Sequence, residues 1–256
     1  MPLPIAPQAI LIDLAGVLHI DDEPLPGAVD ALVSLRASGL PIRFLTNTTR
    51  SPRSRIVANL RRMGFAIEPE EIQTAVLATR TLVQQRNLHP HYLVHPDIAD
   101  EIGRSHPEPD AVVLGDAGHH FDFASLNQVF RLLMQGLPFI VMARNRYFQE
   151  KDGLTLDMGA FVAGLEYSTG RSAEVVGKPA PPFFSTALAE LGIAPERAVL
   201  IGDDLVDDIG GAQAAGIPGI LVRTGKFRPT DEEHPQLKPS LIVDNFQAAV
   251  ATLLAG

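Results

Sequence analysis

Residues 8–16 read QAILIDLAG. A short run rich in Ile and Leu that closes at a glycine suits a strand buried on both faces of a parallel sheet, because covering helices leave it no polar face to alternate with. Asp13 then stands where that strand leaves the sheet. Downstream, Ala28, Leu32 and Leu35 recur at helical spacing and the pattern stops at Gly39, and PIRFLTNTT (41–49) reads as a second strand. Ser51 and Pro52 form an N-cap and first helical position, so 52–63 is expected to be a helix that ends at Gly64. Strand, helix, strand, helix is the signature of an α/β protein built on a parallel sheet.

The alternation continues to the end of the chain. A helix is expected near 70–86, strands at 91–95 and 110–115, a helix at 123–134 and a strand in PFIVMA (138–143). The Gly-rich KDGLTLDMGAFVAGLEYSTG (151–170) is expected to hold one helix. Then come AEVVG (173–177), a helix after the prolines at 179–182, the strand AVLIGDD (198–204), a small helix through GGAQAAG (210–216), the strand IPGILVRTG (217–225) and a last helix at 246–254.

Composition narrows the function. With 256 residues, 46% hydrophobic and 20% charged, the chain is of the folded globular class. Its net charge is −9 with no basic stripe, so nucleic acid is not expected as a partner. Cysteine is absent, which removes disulfides, thiolate metal sites and thiol nucleophiles. The start lacks a basic n-region and no stretch approaches 18 apolar residues, so the expected setting is cytoplasmic, without a membrane. Four aspartates fall within GDDLVDD (202–208), a local concentration of charge.

Ligands of open parallel sheets collect outside the carboxyl ends of the strands. Four such ends carry chemistry here: Asp13, Thr46 with Asn47, Lys178, and Asp203 with the acids that follow it. Carboxylates suit a hard cation, a hydroxyl and amides suit anion oxygens, and one ammonium can neutralise charge. That inventory describes Mg²⁺-assisted phosphoryl transfer.

These four motifs, in this order, resemble those of the haloacid dehalogenase superfamily of phosphohydrolases. The 33 residues from Asp13 to Thr46 are too few for a separate cap domain, whereas 130 residues separate Asn47 from Lys178. About 30 of those belong to the next helix and strand of the core, and the rest form an inserted cap. The expected architecture is a Rossmann-like parallel-sheet core, 1–74 and 174–256, split by a smaller α/β cap of the C2 type, 75–173. The phrases DAGHHF, RYFQEKDGLTLD, LEYSTGRSAEVVGKP, IGDDLVDDIGGAQAAG and VRTGKFRPTDEEHP look most like the branch of the family that holds phosphatases of P–N and P–O–P bonds.

The resemblance implies that Asp13 attacks phosphorus and forms an aspartyl phosphate. Mg²⁺ would lie between Asp13, Asp203 and the backbone carbonyl of Ala15, with Asp208 and Asp204 holding its waters. Leu14, Ala15, Thr46 and Asn47 would border the phosphoryl oxygens and Lys178 would neutralise them. It also implies a homodimer through the cap. One position departs from the family: Ala15 stands where the first motif normally carries a second Asp, which protonates the leaving group. A methyl group cannot do this, so the expected enzyme hydrolyses small phosphorylated substrates with good leaving groups, such as pyrophosphate, P–N compounds and aryl phosphates. The rival expectation is a regulatory protein that binds Mg²⁺ and phosphate without turnover. A carbon–phosphorus hydrolase also carries Ala here, but its cap follows the first motif, where this chain has no room.

Other features read blandly. His89, His91 and His95 have no carboxylate in register and are not expected to bind metal, and His119 and His120 are expected to border the cap. Arg144, Asn145, Arg146 and Tyr147 form a polar loop that could meet an anionic substrate. GGAQAAG does not follow a strand directly, which excludes a dinucleotide fingerprint.

Overall fold

The opening run forms the strand Ala9–Asp13, buried along its whole length. The computed structural model describes residues 6–150 and 153–255. Ala9–Asp13 sits inside a six-stranded sheet ordered Leu241–Val243, Gly219–Val222, Ala198–Gly202, Ala9–Asp13, Ile42–Thr46, Ile72–Thr74. It pairs in parallel with Ala198–Gly202 on one side and Ile42–Thr46 on the other. The chain builds outward from Ala9–Asp13 in one direction and then returns to its other flank, so the order reverses beside Asp13. That reversal is the topological switch point at which open α/β sheets hold ligands.

Alternate strand residues Ile10, Ile12, Phe44, Val199, Ile201 and Ile220 pack on one face with the helices Ala28–Ala37, Arg53–Arg62 and Phe246–Ala255. Leu205, Ile209 and Leu221 form a smaller cluster.

The chain divides into two compact units: Met1–Thr46, Arg53–Gln73 and Lys178–Gly256, and then Asn47–Pro52 with Thr74–Gly177. The second unit has its own four-stranded parallel sheet, ordered Glu174–Val175, Phe139–Val141, Ala111–Leu114, Pro90–Leu93. Val112, Leu114 and Val141 pack with the helices Phe123–Met134 and Gly159–Thr169. Val113 and Ile140 pack with Ala75–Gln85 and Ala99–Ile102. Both faces of this sheet are therefore covered, as parallel strands require. No helix among the described residues is long and apolar enough to cross a membrane.

Several elements differ from the sequence reading. Residues 72–74 are a strand, and the helix expected from 70 begins at Ala75, where Thr74 Oγ1 caps the amide of Leu77 at 3.1 Å. Tertiary bonds decide this: Arg36 holds the Glu71 carboxylate through two 2.7 Å bonds, and Gln73 Nε2 donates to the Phe183 carbonyl at 2.6 Å. Gly153–Leu156 pairs antiparallel with Tyr147–Glu150, and the helix expected within 151–170 occupies only Gly159–Thr169. Lys151 and Asp152, like residues 1–5 of the N-terminal reading, lie outside the described residues. The hairpin of His19–Ile20 with Glu23–Pro24 and the strand Leu241–Val243 have no clear pattern in the sequence. The segment 47–52 groups with the second unit rather than with the core strand before it. There Thr49 Oγ1 accepts the amide of Asp116 at 3.2 Å and Arg50 pairs with the Asp116 carboxylate at 2.5 Å.

Candidate active site

Sheet register alone brings three of the motifs level. Asp13 lies opposite Leu45, so Thr46 is one residue beyond it, and Ile12 lies opposite Ile201, so Asp203 emerges just past Asp13 on the other side. All three side chains are buried, at 6% exposure for Asp13, 5% for Thr46 and 2% for Asp203. Lys178 enters the same place from the start of the segment that follows the second unit. Its Nζ donates to Asp13 Oδ1 at 2.5 Å and to Asp208 Oδ1 at 2.6 Å. An ammonium this deeply buried is tolerated because two carboxylates surround it.

Asp208 reaches inward because the chain after Ala198–Gly202 winds into the turns of Leu205–Gly210. Its second oxygen accepts the backbone amides of Asp203 at 3.2 Å and Asp204 at 3.1 Å. Gly202 makes room for it: a Cβ there would run into the Asp208 side chain. Asp204 caps the same winding, its Oδ1 accepting the amides of Val206 and Asp207 at 2.9 Å each. The Leu14 side chain packs into the hydrophobic core, so only its backbone is available to a ligand. Ala15 is exposed, and Gly16 beyond it takes φ of +87°, which closes the turn with its amide on the His19 carbonyl at 2.7 Å.

Burial dominates the electrostatics. It pushes the Asp13 carboxyl up to about 6; Lys178 opposes this, and the charge of Asp208 adds to it. Asp203 is pushed up to about 8 by burial and then by the neighbouring charges of Asp13 and Asp208. Burial works against the Lys178 ammonium too, but Asp13 and Asp208 outweigh it and hold the group above its ordinary value. With all three carboxylates ionised, the pocket would hold more negative charge than Lys178 offsets. Oxygen atoms of Asp13, Asp203 and Asp208 lie within 4.8 Å of one another, a group able to hold a metal. Three buried carboxylates with uncompensated charge are the donor set of a hard divalent cation rather than of a soft metal.

The other residues singled out in the sequence belong to the second unit. Asn47 belongs to the second unit, with Nδ2 3.4 Å from Asn145 Oδ1, and Gly177 leaves it space. Arg144 pairs with Glu166. His89 bonds to Asp110 at 3.2 Å, and His95 Nδ1 accepts the amide of Asp97, so neither is part of a metal cluster among the described residues. His119 and His120 line a cavity of about 410 Å³ in the second unit together with His95 and the Arg50–Asp116 pair. The sequence reading misses Asp116, although it follows a strand end much as Asp13 does, and it misses Lys226, whose amide donates to Asp203 Oδ2 at 2.7 Å.

Two family models match the chain: one described as haloacid dehalogenase-like hydrolase over residues 10–103, and a HAD-hydrolase-like model over residues 175–249. Haloacid dehalogenase-like hydrolase domain-containing protein 2 of Bos taurus is 46% identical over 248 residues, covering 96% of either chain. The phospholysine phosphohistidine inorganic pyrophosphate phosphatase of Xenopus laevis is 42% identical, covering 97% of this chain and 95% of its own. Among solved structures, the 4-nitrophenylphosphatase of Thermotoga maritima superposes with a TM-score of 0.89 at 27% identity, over 96% of this chain and 97% of its own. Identity at this level over nearly the whole length, with the acidic strand ends in place, decides the family: the chain belongs to the haloacid dehalogenase-like hydrolases.

Proposed function

We propose that the protein is a Mg²⁺-dependent phosphatase that works through an aspartyl phosphate and favours substrates with good leaving groups. The observation that carries this reading is the buried constellation of Asp13, Lys178, Asp203 and Asp208 at the sheet's switch point, beside an exposed Ala15. In this reading the first unit is the catalytic core and the second the cap. Asp13 and Asp203, with the backbone carbonyl of Ala15, would hold Mg²⁺, which supplies charge neutralisation at the phosphoryl oxygens.

A carboxylate oxygen of Asp13 bonds to phosphorus as the bond from phosphorus to the leaving group breaks, and the leaving group departs with that electron pair. Water then attacks the aspartyl phosphate, releasing orthophosphate and restoring Asp13. Lys178 stays fixed against Asp13 through Asp208, so its charge is already in place as negative charge builds on the transferring group. Thr46 and the amide of Asn47 would receive phosphoryl oxygens. A methyl group at position 15 offers the departing oxygen no proton from that position, so leaving groups that are stable as anions are favoured. The names of two relatives, an inorganic pyrophosphate and P–N phosphatase and a 4-nitrophenylphosphatase, support this preference.

The test is a panel of pyrophosphate, imidodiphosphate, p-nitrophenyl phosphate and sugar phosphates, each with and without Mg²⁺. Pyrophosphate or aryl phosphate should turn over fastest and only with the metal; fastest turnover of sugar phosphates would overturn the leaving-group argument. Asp13→Asn should be inactive, and full activity in that variant would overturn the mechanism.

A further inference from the structure

The turn Thr224, Gly225, Lys226 belongs to none of the four motifs, yet it is clamped onto them. Thr224 Oγ1 donates to the Gly16 carbonyl. The Lys226 amide donates to Asp203 Oδ2 at 2.7 Å, and its Nζ lies 3.1 Å from Asp204 Oδ2. Gly16 and Gly225 both have positive φ, +87° and +58°, and a Cβ on either would overlap the Asp203 carboxylate. The loop after the nucleophile, the loop after Gly219–Val222 and Asp203 therefore meet with no space to spare.

The two lysines of this region differ in kind. The Lys178 side chain is 6% exposed and locked between two carboxylates, whereas that of Lys226 is 55% exposed at the rim. Its charge is nonetheless felt inside, where it favours the ionised forms of both Asp13 and Asp203. A positive charge held 3.1 Å from Asp204 Oδ2, on the residue next to Asp203, repels an incoming cation and attracts an incoming phosphate. We infer that Lys226 is a positioning residue whose exposed ammonium, anchored on Asp204, sets the balance between divalent-cation binding and phosphate binding at the Asp13–Asp203 site. This rests on the phosphatase reading above and extends it to a residue outside the family's four motifs.

Substitution at 226 leaves the backbone amide on Asp203 and removes only the ammonium, so the side chain's charge can be tested by itself. The full-length protein, Lys226→Met and Lys226→Arg are titrated calorimetrically with MgCl₂ alone, and then with inorganic phosphate at saturating Mg²⁺. Loss of one charge at the rim, partly screened by solvent, should tighten Mg²⁺ binding about three- to tenfold in Lys226→Met and weaken phosphate binding about three- to tenfold. Lys226→Arg should restore both to within about twofold, since it keeps the charge. A side chain that merely props the turn would weaken both affinities together. That result, no change in either, or a change in only one would overturn the inference. A wild-type protein that binds neither Mg²⁺ nor phosphate would instead refute the phosphatase reading, so the two failures are distinct.

Discussion

Replacing Asp208 by Asn changes almost no volume and should still be severe. Both carboxylate oxygens face donors: Oδ1 meets the Lys178 ammonium at 2.6 Å, and Oδ2 meets the amides of Asp203 and Asp204 at 3.2 and 3.1 Å. Asparagine has one acceptor oxygen and one NH₂ donor. In either orientation its two hydrogens point at a buried ammonium or at two backbone N–H groups. Breaking a buried charged pair on one side costs about 3–5 kcal/mol, because the partner is left uncompensated. Lys178 keeps Asp13, so the lower end, about 3 kcal/mol, applies. At ~2–4 °C per kcal/mol for a unit of this size, the melting temperature should fall by about 6–12 °C. Turnover of p-nitrophenyl phosphate should drop at least ~10²-fold, since Lys178 is no longer held toward the transferring group. The assay is thermal unfolding followed by circular dichroism, with initial rates measured well below the transition. Asp208→Asn with wild-type turnover and a melting temperature within about 2 °C of wild type would refute the claim that Asp208 holds Lys178 and the Asp203 loop together.

Metal-free protein should lose stability between pH 5 and pH 8. Asp13 and Asp207, each raised to about 6, and Asp203, raised to about 8, keep protons in the folded state that the unfolded chain has released, so the native state binds more protons and stability falls as pH rises. His19 works the other way, since burial lowers its value and its penalty disappears as pH rises. Melting temperatures measured across this range should therefore fall in the wild type and flatten in Asp203→Asn, while added Mg²⁺, which needs the ionised carboxylates, should stabilise more at pH 8 than at pH 5; a wild-type curve that climbs throughout would contradict the shifts. Ala15→Asp places an acid on an exposed position of the turn and should speed hydrolysis of alkyl phosphates by about 10²-fold or more relative to aryl phosphates, read from kcat/KM on matched substrate pairs.

The site is legible in the sequence to the extent that it sits on strand ends. Asp13, Thr46 and Asp203 each close an apolar run, and a parallel sheet carries the ends of its central strands to one edge, so a linear pattern becomes a spatial cluster. Ala15 is legible for the same reason, as a position in a motif. Residues that reach the cluster from a turn leave no such pattern. Asp208 reads in the sequence as a holder of metal-bound water, and its grip on Lys178 and on two backbone amides depends on how the Leu205–Gly210 turns wind and on Gly202 having no side chain. Lys226 lies in a loop of ordinary composition, and nothing local marks its amide as the partner of Asp203.

The same division holds for the fold. Periodicity in the chain is enough for the α/β class, most helices and the strands flanking Asp13, because covering both faces of a parallel sheet demands continuous apolar runs. The strand Ile72–Thr74 and the grouping of Asn47–Pro52 with the second unit are settled by long-range bonds, from Arg36 to Glu71, Gln73 to Phe183, and Arg50 to Asp116. Such bonds join residues 35, 110 and 66 positions apart, a distance over which no local periodicity carries information. The sequence by itself thus determined which chemical groups are present and which strand ends bear them. Only the tertiary structure decided which oxygen meets which donor, since the free energy of a buried charge depends on its neighbours in space.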